Sequence, residues 1–163
     1  MPEAMQEYSA FTVAYSTLAN RLISESAVII YNGRDLTVNA LWDTGATITC
    51  VSEETAQKLS MISTGKINIK TPSGTKQKNT YLVDIILPNN VSVKDLTVCD
   101  SEIGSQGIDL LIGMDIILLG DFAVSNYQGQ TTFTFRLPSK QTTDYVKQVN
   151  IDHIIGNRNK KRK

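Results

Sequence analysis

The stretch Leu41-Trp42-Asp43-Thr44-Gly45-Ala46 decides how this chain is read. An apolar run, Ala40-Leu41-Trp42, ends on an acid followed at once by Thr-Gly. That order places a carboxylate at the end of a buried strand, in a tight turn. Upstream, Ala27-Val28-Ile29-Ile30-Tyr31 and Arg34-Asp35-Leu36-Thr37-Val38 flank Asn32-Gly33. Asn-Gly supplies the two positive-φ residues of a type I′ turn, so the two runs form a β-hairpin whose second strand leads directly into Asp43. The Asp-Thr-Gly triplet occurs once.

Downstream, Ile48, Cys50 and Val51 form another short apolar strand. Ser52 then caps a helix whose first turn carries Glu53 and Glu54, favourable at the positive end of the helix dipole, with Ala56 and Leu59 facing the core. Lys66 to Lys70 alternates as a strand with Ile67 and Ile69 inward. Thr71-Pro72-Ser73-Gly74-Thr75 interrupts it as a turn, and the polar Lys76-Gln77-Lys78-Asn79 follows. Tyr81 to Leu87 and Val91 to Cys99 are strands joined at Pro88-Asn89-Asn90. Ile108 to Ile112 reads as a strand broken only by Asp109, and Gly113 opens a short helix, Met114 to Leu119, closed by Gly120. Phe122-Ala123-Val124 and Thr132 to Leu137 make a C-terminal hairpin around Asn126-Tyr127-Gln128-Gly129. At the other end, Phe11, Val13 and Tyr15 alternate as a strand. Beyond Pro138 the pattern is polar, with Tyr145, Val149 and Ile154 on one side of a marginal helix. These readings give a mainly-β chain: a frayed segment at 1–10, one domain at 11–137, and a polar, basic tail at 138–163.

Bulk properties narrow the function. At 163 residues, 41% hydrophobic and 20% charged, the chain suits one globular domain. Sixteen Lys and Arg balance sixteen Asp and Glu, so overall charge gives no reason to expect nucleic acid. The basic run Arg158 to Lys163 reads as a solvated tail rather than a nucleic-acid or membrane patch. No charged leader with an apolar core opens the chain and no apolar run approaches about 18 residues, so a cytoplasmic location with no membrane is expected. Cys50 and Cys99 lack any metal-binding spacing and read as small buried apolar residues in a reducing compartment. Asp109, Asp115 and Asp121 match no Ca²⁺ loop, and Asp115 is expected to bond the neighbouring loop. The one histidine, His153, lies in the tail, which sets aside a Ser-His-Asp or Cys-His mechanism.

Taken together, Leu41 to Ala46, the second apolar-Gly element Leu111-Ile112-Gly113-Met114-Asp115-Ile116, and the turn Thr71 to Thr75 between them resemble the retropepsins, the retroviral-type aspartic proteases, over Phe11 to Leu137. The closing hairpin, the Gly-Met-Asp-Ile-Ile turn and the chain length look more like cellular and bacterial members than viral ones. The resemblance implies a single-lobe acid-protease barrel with one or two short helices, and no metal or other cofactor. It also implies a homodimer, because each retropepsin chain contributes one carboxylate to a site on the two-fold axis, and a C₂ operator brings identical residues face to face. The chemistry asks for the same thing: two carboxylates in contact share a proton, one acting as base toward water while the other donates to the peptide carbonyl.

By the same resemblance Asp43 is the catalytic carboxylate. Thr44 locks the two loops across the dimer axis, and Gly45 places its amide near the carboxylates. Ala46, Thr47 and Ile112 line the substrate site, while Ser73, Gly74 and Thr75 close over an extended peptide or unfolded protein held like an added strand. Viral members usually carry Asp and Arg where this chain has Thr47 and Met114; both partners of that ion pair are absent together. The hairpin tip, with one Gly and a Pro, is stiffer than a Gly-rich one. Trp42 reads as a core aromatic with its N–H satisfied. The expected function is that of an aspartic endopeptidase; the rival is a dimer of the same fold that holds peptide without cleaving it.

Overall fold

The Asn32-Gly33 turn closes as its sequence dictates. In the computed structural model, which describes residues 7–71 and 74–160, Asn32 and Gly33 have φ of 46° and 74°. They join β2 (Ile23–Tyr31) to β3 (Arg34–Trp42) in antiparallel register, with Tyr31 opposite Arg34. A bulge between Ser24 and Ala27, with Ser26 at φ 67°, lengthens β2 beyond the apolar run. The extra residue re-aims the strand, and Ser24 is fully buried.

The remaining strands are β1 (Ser9–Ala14), β4 (Cys50–Ser52), β5 (Gly65–Thr71), β6 (Gly74–Leu87), β7 (Val91–Ser101), β8 (Leu110–Ile112), β9 (Asp121–Ser125) and β10 (Thr132–Leu137). Among the described residues six strands, β2 and β3 included, close a barrel. β3 pairs parallel with β8, β8 antiparallel with β4, β4 parallel with β7, β7 antiparallel with β6, and β6 returns to β2 through Val28 to Ile30 against Ile86 to Asp84. Closure satisfies strand edges that would otherwise stay unpaired. Inward residues such as Ala27, Ile29, Ala40, Val51, Ile85, Val98 and Leu110 are fully buried. β5 lies outside the barrel as the outer arm of a hairpin with β6, from Gly65 opposite Thr80 to Thr71 opposite Gly74.

A second sheet, in the order β1-β10-β9, packs beside the barrel. Its inner face supplies Phe11, Phe133, Phe135 and Phe122, which surround Trp42 at the end of β3. The Trp42 ring stacks on Phe122 (centroids 5.3 Å apart, planes 7° apart) and lies 5.1 Å from Phe135. Its Nε1 donates to Ser24 Oγ at 3.0 Å. The indole therefore joins the two sheets, as a core aromatic with its polar edge satisfied.

Three elements differ from their sequence reading. Lys76 to Asn79 belong to β6 rather than to a loop, because pairing with β5 satisfies their backbone although their side chains are polar. Of Ile108 to Ile112 only Leu110–Ile112 is strand; Asp109 instead turns its carboxylate to the Asn39 amide at 3.0 Å. Past Asp144, α3 (Tyr145–Lys160) is longer than the marginal helix expected, and Tyr145, Val149 and Ile154 are all exposed on it. The short α1 (Glu53–Lys58) forms as read: Ser52 Oγ accepts the Thr55 amide at 3.0 Å. α2 (Met114–Ile117) is a single turn.

Candidate active site

Asp43 leaves the barrel where β3 and β8 end side by side. Trp42 is the register partner of Ile112, and the Asp43 amide donates to the Ile112 carbonyl at 2.9 Å. Within the turn, the Gly45 amide donates to Asp43 Oδ1 at 2.8 Å and the Ala46 amide to the Asp43 carbonyl at 3.2 Å. The carboxylate is half-buried, with Thr44, Gly45 and Thr47 exposed around it. A single backbone geometry thus fixes an acid at the rim of the barrel.

The loop is held from beneath by the second apolar-Gly element. Met114 donates its amide to the Ala46 carbonyl at 2.8 Å. Asp115 accepts the Thr49 amide at 2.8 Å through Oδ2 and the Thr49 hydroxyl at 2.6 Å through Oδ1. The Gly113 amide in turn donates to Thr49 Oγ1 at 3.0 Å. Thr49 is fully buried, so its hydroxyl is a donor and an acceptor in one interior network. Gly113 has no room for a side chain: a Cβ there would stand 2.7 Å from the Ile48 carbonyl carbon. The expected bond from Asp115 to the neighbouring loop is this one. The three acids near the second turn share no partner: Asp109 bonds Asn39, Asp115 bonds Thr49, and Asp121 bonds Arg136, Ser139 and Lys140.

Among the hollows that touch the loop, two bear on the site. One, of about 350 Å³, lies between Gly45 to Ile48 and Asn68 to Lys70 of β5, with Cys50 in its wall. The other, of about 420 Å³, is bounded by Asp43, Thr44, Leu22, Phe122 and Val124. Of the residues expected to touch substrate, Ala46 and Thr47 line the first. Ile112 does not face it; its side chain is fully buried in the core, and it serves the site through its carbonyl. Gly74 and Thr75 are exposed at the start of β6, and Ser73 lies outside the described residues. The hairpin meets the loop through Asn68, Ile69 and Lys70, which sequence reasoning did not select. The alternation of Ile67 and Ile69 was the available signal, because it fixes which face of β5 turns inward.

A family model described as "gag-polyprotein putative aspartyl protease" matches residues 28–118, more than half of the chain. The chain belongs to this aspartyl protease family. The matched span starts in β2 and ends just past α2, so it contains both apolar-Gly elements of the loop. Among solved structures, the retropepsin-like aspartic protease from Rickettsia conorii is similar in fold, with a TM-score of 0.52 at 13% identity over 82% of this chain and 98% of that one. The simian foamy virus protease is 27% identical over 59% of this chain and 91% of its own, with a TM-score of 0.42. EIAV protease, in complex with an inhibitor, is 20% identical over 61% and 88%, with a TM-score of 0.47. No curated protein matches the chain in sequence. The architecture of this family member is therefore a retropepsin-like β-barrel, and no helix among its described residues is long and apolar enough to cross a membrane.

Proposed function

We propose that the protein is an aspartic endopeptidase active as a homodimer, with a water molecule activated between two Asp43 carboxylates, one from each chain. The observation that carries this reading is the Asp43 turn itself. It is a single carboxylate at the barrel rim, braced by Gly45, Ile112 and the Thr49–Asp115 network, in a chain of an aspartyl protease family. One carboxylate cannot be base and acid at once, so the chemistry asks for a second copy. The second sheet supports such an arrangement. Among the described residues β9 has a strand partner on one side only, and its Phe122 shares a hollow with Asp43 and Thr44. An unpaired edge next to the acid is a place where a symmetry mate can dock.

In the dimer the two carboxylates share one proton. The ionised member takes a proton from water as the oxygen attacks the peptide carbon, and the protonated member donates to the carbonyl oxygen; the roles reverse as the tetrahedral intermediate collapses. Thr44 bridges the two loops, and Gly45 directs its amide toward the acid pair. Ala46 and Thr47 form the floor of the cleft, and the hairpin tip, including Gly74 and Thr75, covers it. Substrate is an extended peptide or unfolded protein bound by backbone pairing. The catalytic domain is 11–137, followed by a polar, basic tail at 138–163, and the location is cytoplasmic.

The test compares wild type with Asp43→Asn on an unfolded protein substrate at about pH 5, where a shared proton is retained. The expected result is cleavage by wild type and none by the variant, with sedimentation showing a dimer. Equal cleavage by both proteins refutes the assignment of Asp43, and a wild-type chain that stays monomeric with and without a peptide inhibitor refutes the shared site. A dimer that binds peptide without cutting it indicates the binding module instead.

A further inference from the structure

Cys50 and Cys99 are 49 positions apart in sequence and face each other in register across the parallel strands β4 and β7. Both are free thiols, and their sulfur atoms stand 2.8 Å apart. In-register residues on adjoining strands have Cα atoms about 4.8 Å apart, within the span of about 4.4–6.8 Å that disulfides bridge. The two thiols differ in access. Cys99 is fully buried, whereas Cys50 is half-buried and lines the hollow between Gly45 to Ile48 and β5. Their hydrogen bond, and burial after it, raise the Cys50 thiol above its ordinary value, while the same bond favours the thiolate on Cys99.

We propose that Cys50 and Cys99 are a redox-active pair, Cys50 the entry thiol and Cys99 the resolving one, closing to an intramolecular disulfide by exchange with a low-molecular-weight disulfide such as oxidised glutathione. In the first step Cys50 gives up its proton to water and attacks one glutathione sulfur. A Cys50–glutathione bond forms, and the glutathione S–S bond breaks to release one thiolate. In the second step Cys99 gives its proton to that thiolate and attacks Cys50 Sγ, forming the Cys50–Cys99 bond and expelling the second glutathione, which takes up a proton from water. Two cysteine thiols are oxidised and one glutathione disulfide is reduced to two thiols. Exposure decides the order, because only Cys50 can be reached from the cleft.

The disulfide has a structural consequence. It joins the strand that follows the Asp43 loop to β7, closing a loop that contains the whole β5–β6 hairpin. Covalent closure of a loop of this length raises the melting temperature by about 5–10 °C. The inference rests on the thiol geometry and not on the proposed protease activity.

The experiment equilibrates the folded, full chain with excess oxidised glutathione and reads intact mass, free thiols and melting temperature. Wild type is expected to lose two hydrogens in mass, to show no free thiol, to stay a single chain under non-reducing conditions, and to revert with dithiothreitol. Cys99→Ser is expected to stop at one glutathionyl group on Cys50, and Cys50→Ser to stay unmodified while folded. Two thiols surviving in folded wild type, an adduct that never resolves, or a link between two chains each overturns the proposal. Should Cys99→Ser fail to fold, Cys99→Ala replaces it, and the wild-type readings decide without either variant.

Discussion

Replacing Thr49 by valine removes one hydroxyl and keeps the shape of the side chain, so it isolates the network under the Asp43 loop. The hydroxyl donates to the ionisable Asp115 carboxyl at 2.6 Å and accepts the Gly113 amide at 3.0 Å, and the side chain is fully buried. Loss of a hydrogen bond to a charged acceptor costs about 1.5–3 kcal/mol, and a buried amide left without an acceptor costs about 1–3 kcal/mol. Asp115 keeps two backbone donors, Thr49 and Ile116, which places the total toward the lower end, at about 3 kcal/mol. With a urea m-value of about 2 kcal/mol/M, the denaturation midpoint falls by about 1.5 M. The assay is urea unfolding at one fixed protein concentration, since self-association shifts apparent stability. Thr47→Val, at an exposed position two residues away, serves as the control for stability, with a change within about 0.5 kcal/mol expected. A midpoint shift below about 0.3 M for Thr49→Val, with m unchanged, refutes the reasoning: the network would then not be a buried, fully committed one.

Other consequences are equally measurable. Gly113→Ala forces a methyl against the Ile48 carbonyl; a loss of about 1–3 kcal/mol in urea unfolding is expected, and full stability would mean the two loops are not in tight contact. Trp42→Phe strips Ser24 of its indole donor and is expected to cost about 2–4 kcal/mol, with Ser24→Ala in the same chain recovering part of it; strict additivity would show that the pair is uncoupled. The Asp121 carboxyl is held well below its ordinary value of 3.8, chiefly by the Ser139 hydroxyl, then by the Lys140 amide and Arg136. Because the folded state favours the charged form, this contribution is present above about pH 4 and is lost as pH falls further. Asp121→Asn should therefore flatten the acid limb of the stability profile below that pH; an unchanged limb counts against these contacts.

Much of the site was legible because its signals are short. The Asn32-Gly33 turn, the Ser52 cap and the Asp43-Thr44-Gly45 turn each depend on a few adjacent residues, and all take the local form that their side chains favour. Even the bond from Asp115 to the loop could be anticipated, from two apolar-Gly elements of matching pattern. Ile112 was misjudged as a substrate contact because an apolar residue before Gly looks the same whether it faces the cleft or the core. The polarity of Lys76 to Asn79 masks a backbone that is committed to β5.

By itself, then, the sequence determined the form of the turn and the local hairpins, since these follow from backbone preferences acting over a few residues. Only the tertiary structure decided which strands adjoin. The parallel pairings of β3 with β8 and of β4 with β7 bring Ile112 beside Trp42 and Cys99 beside Cys50. They set Asp115 under Thr49 and put Asn68 to Lys70 over the loop. Such contacts span tens of residues and are chosen by closure of the whole barrel around one buried core, a condition that no short stretch of sequence can express.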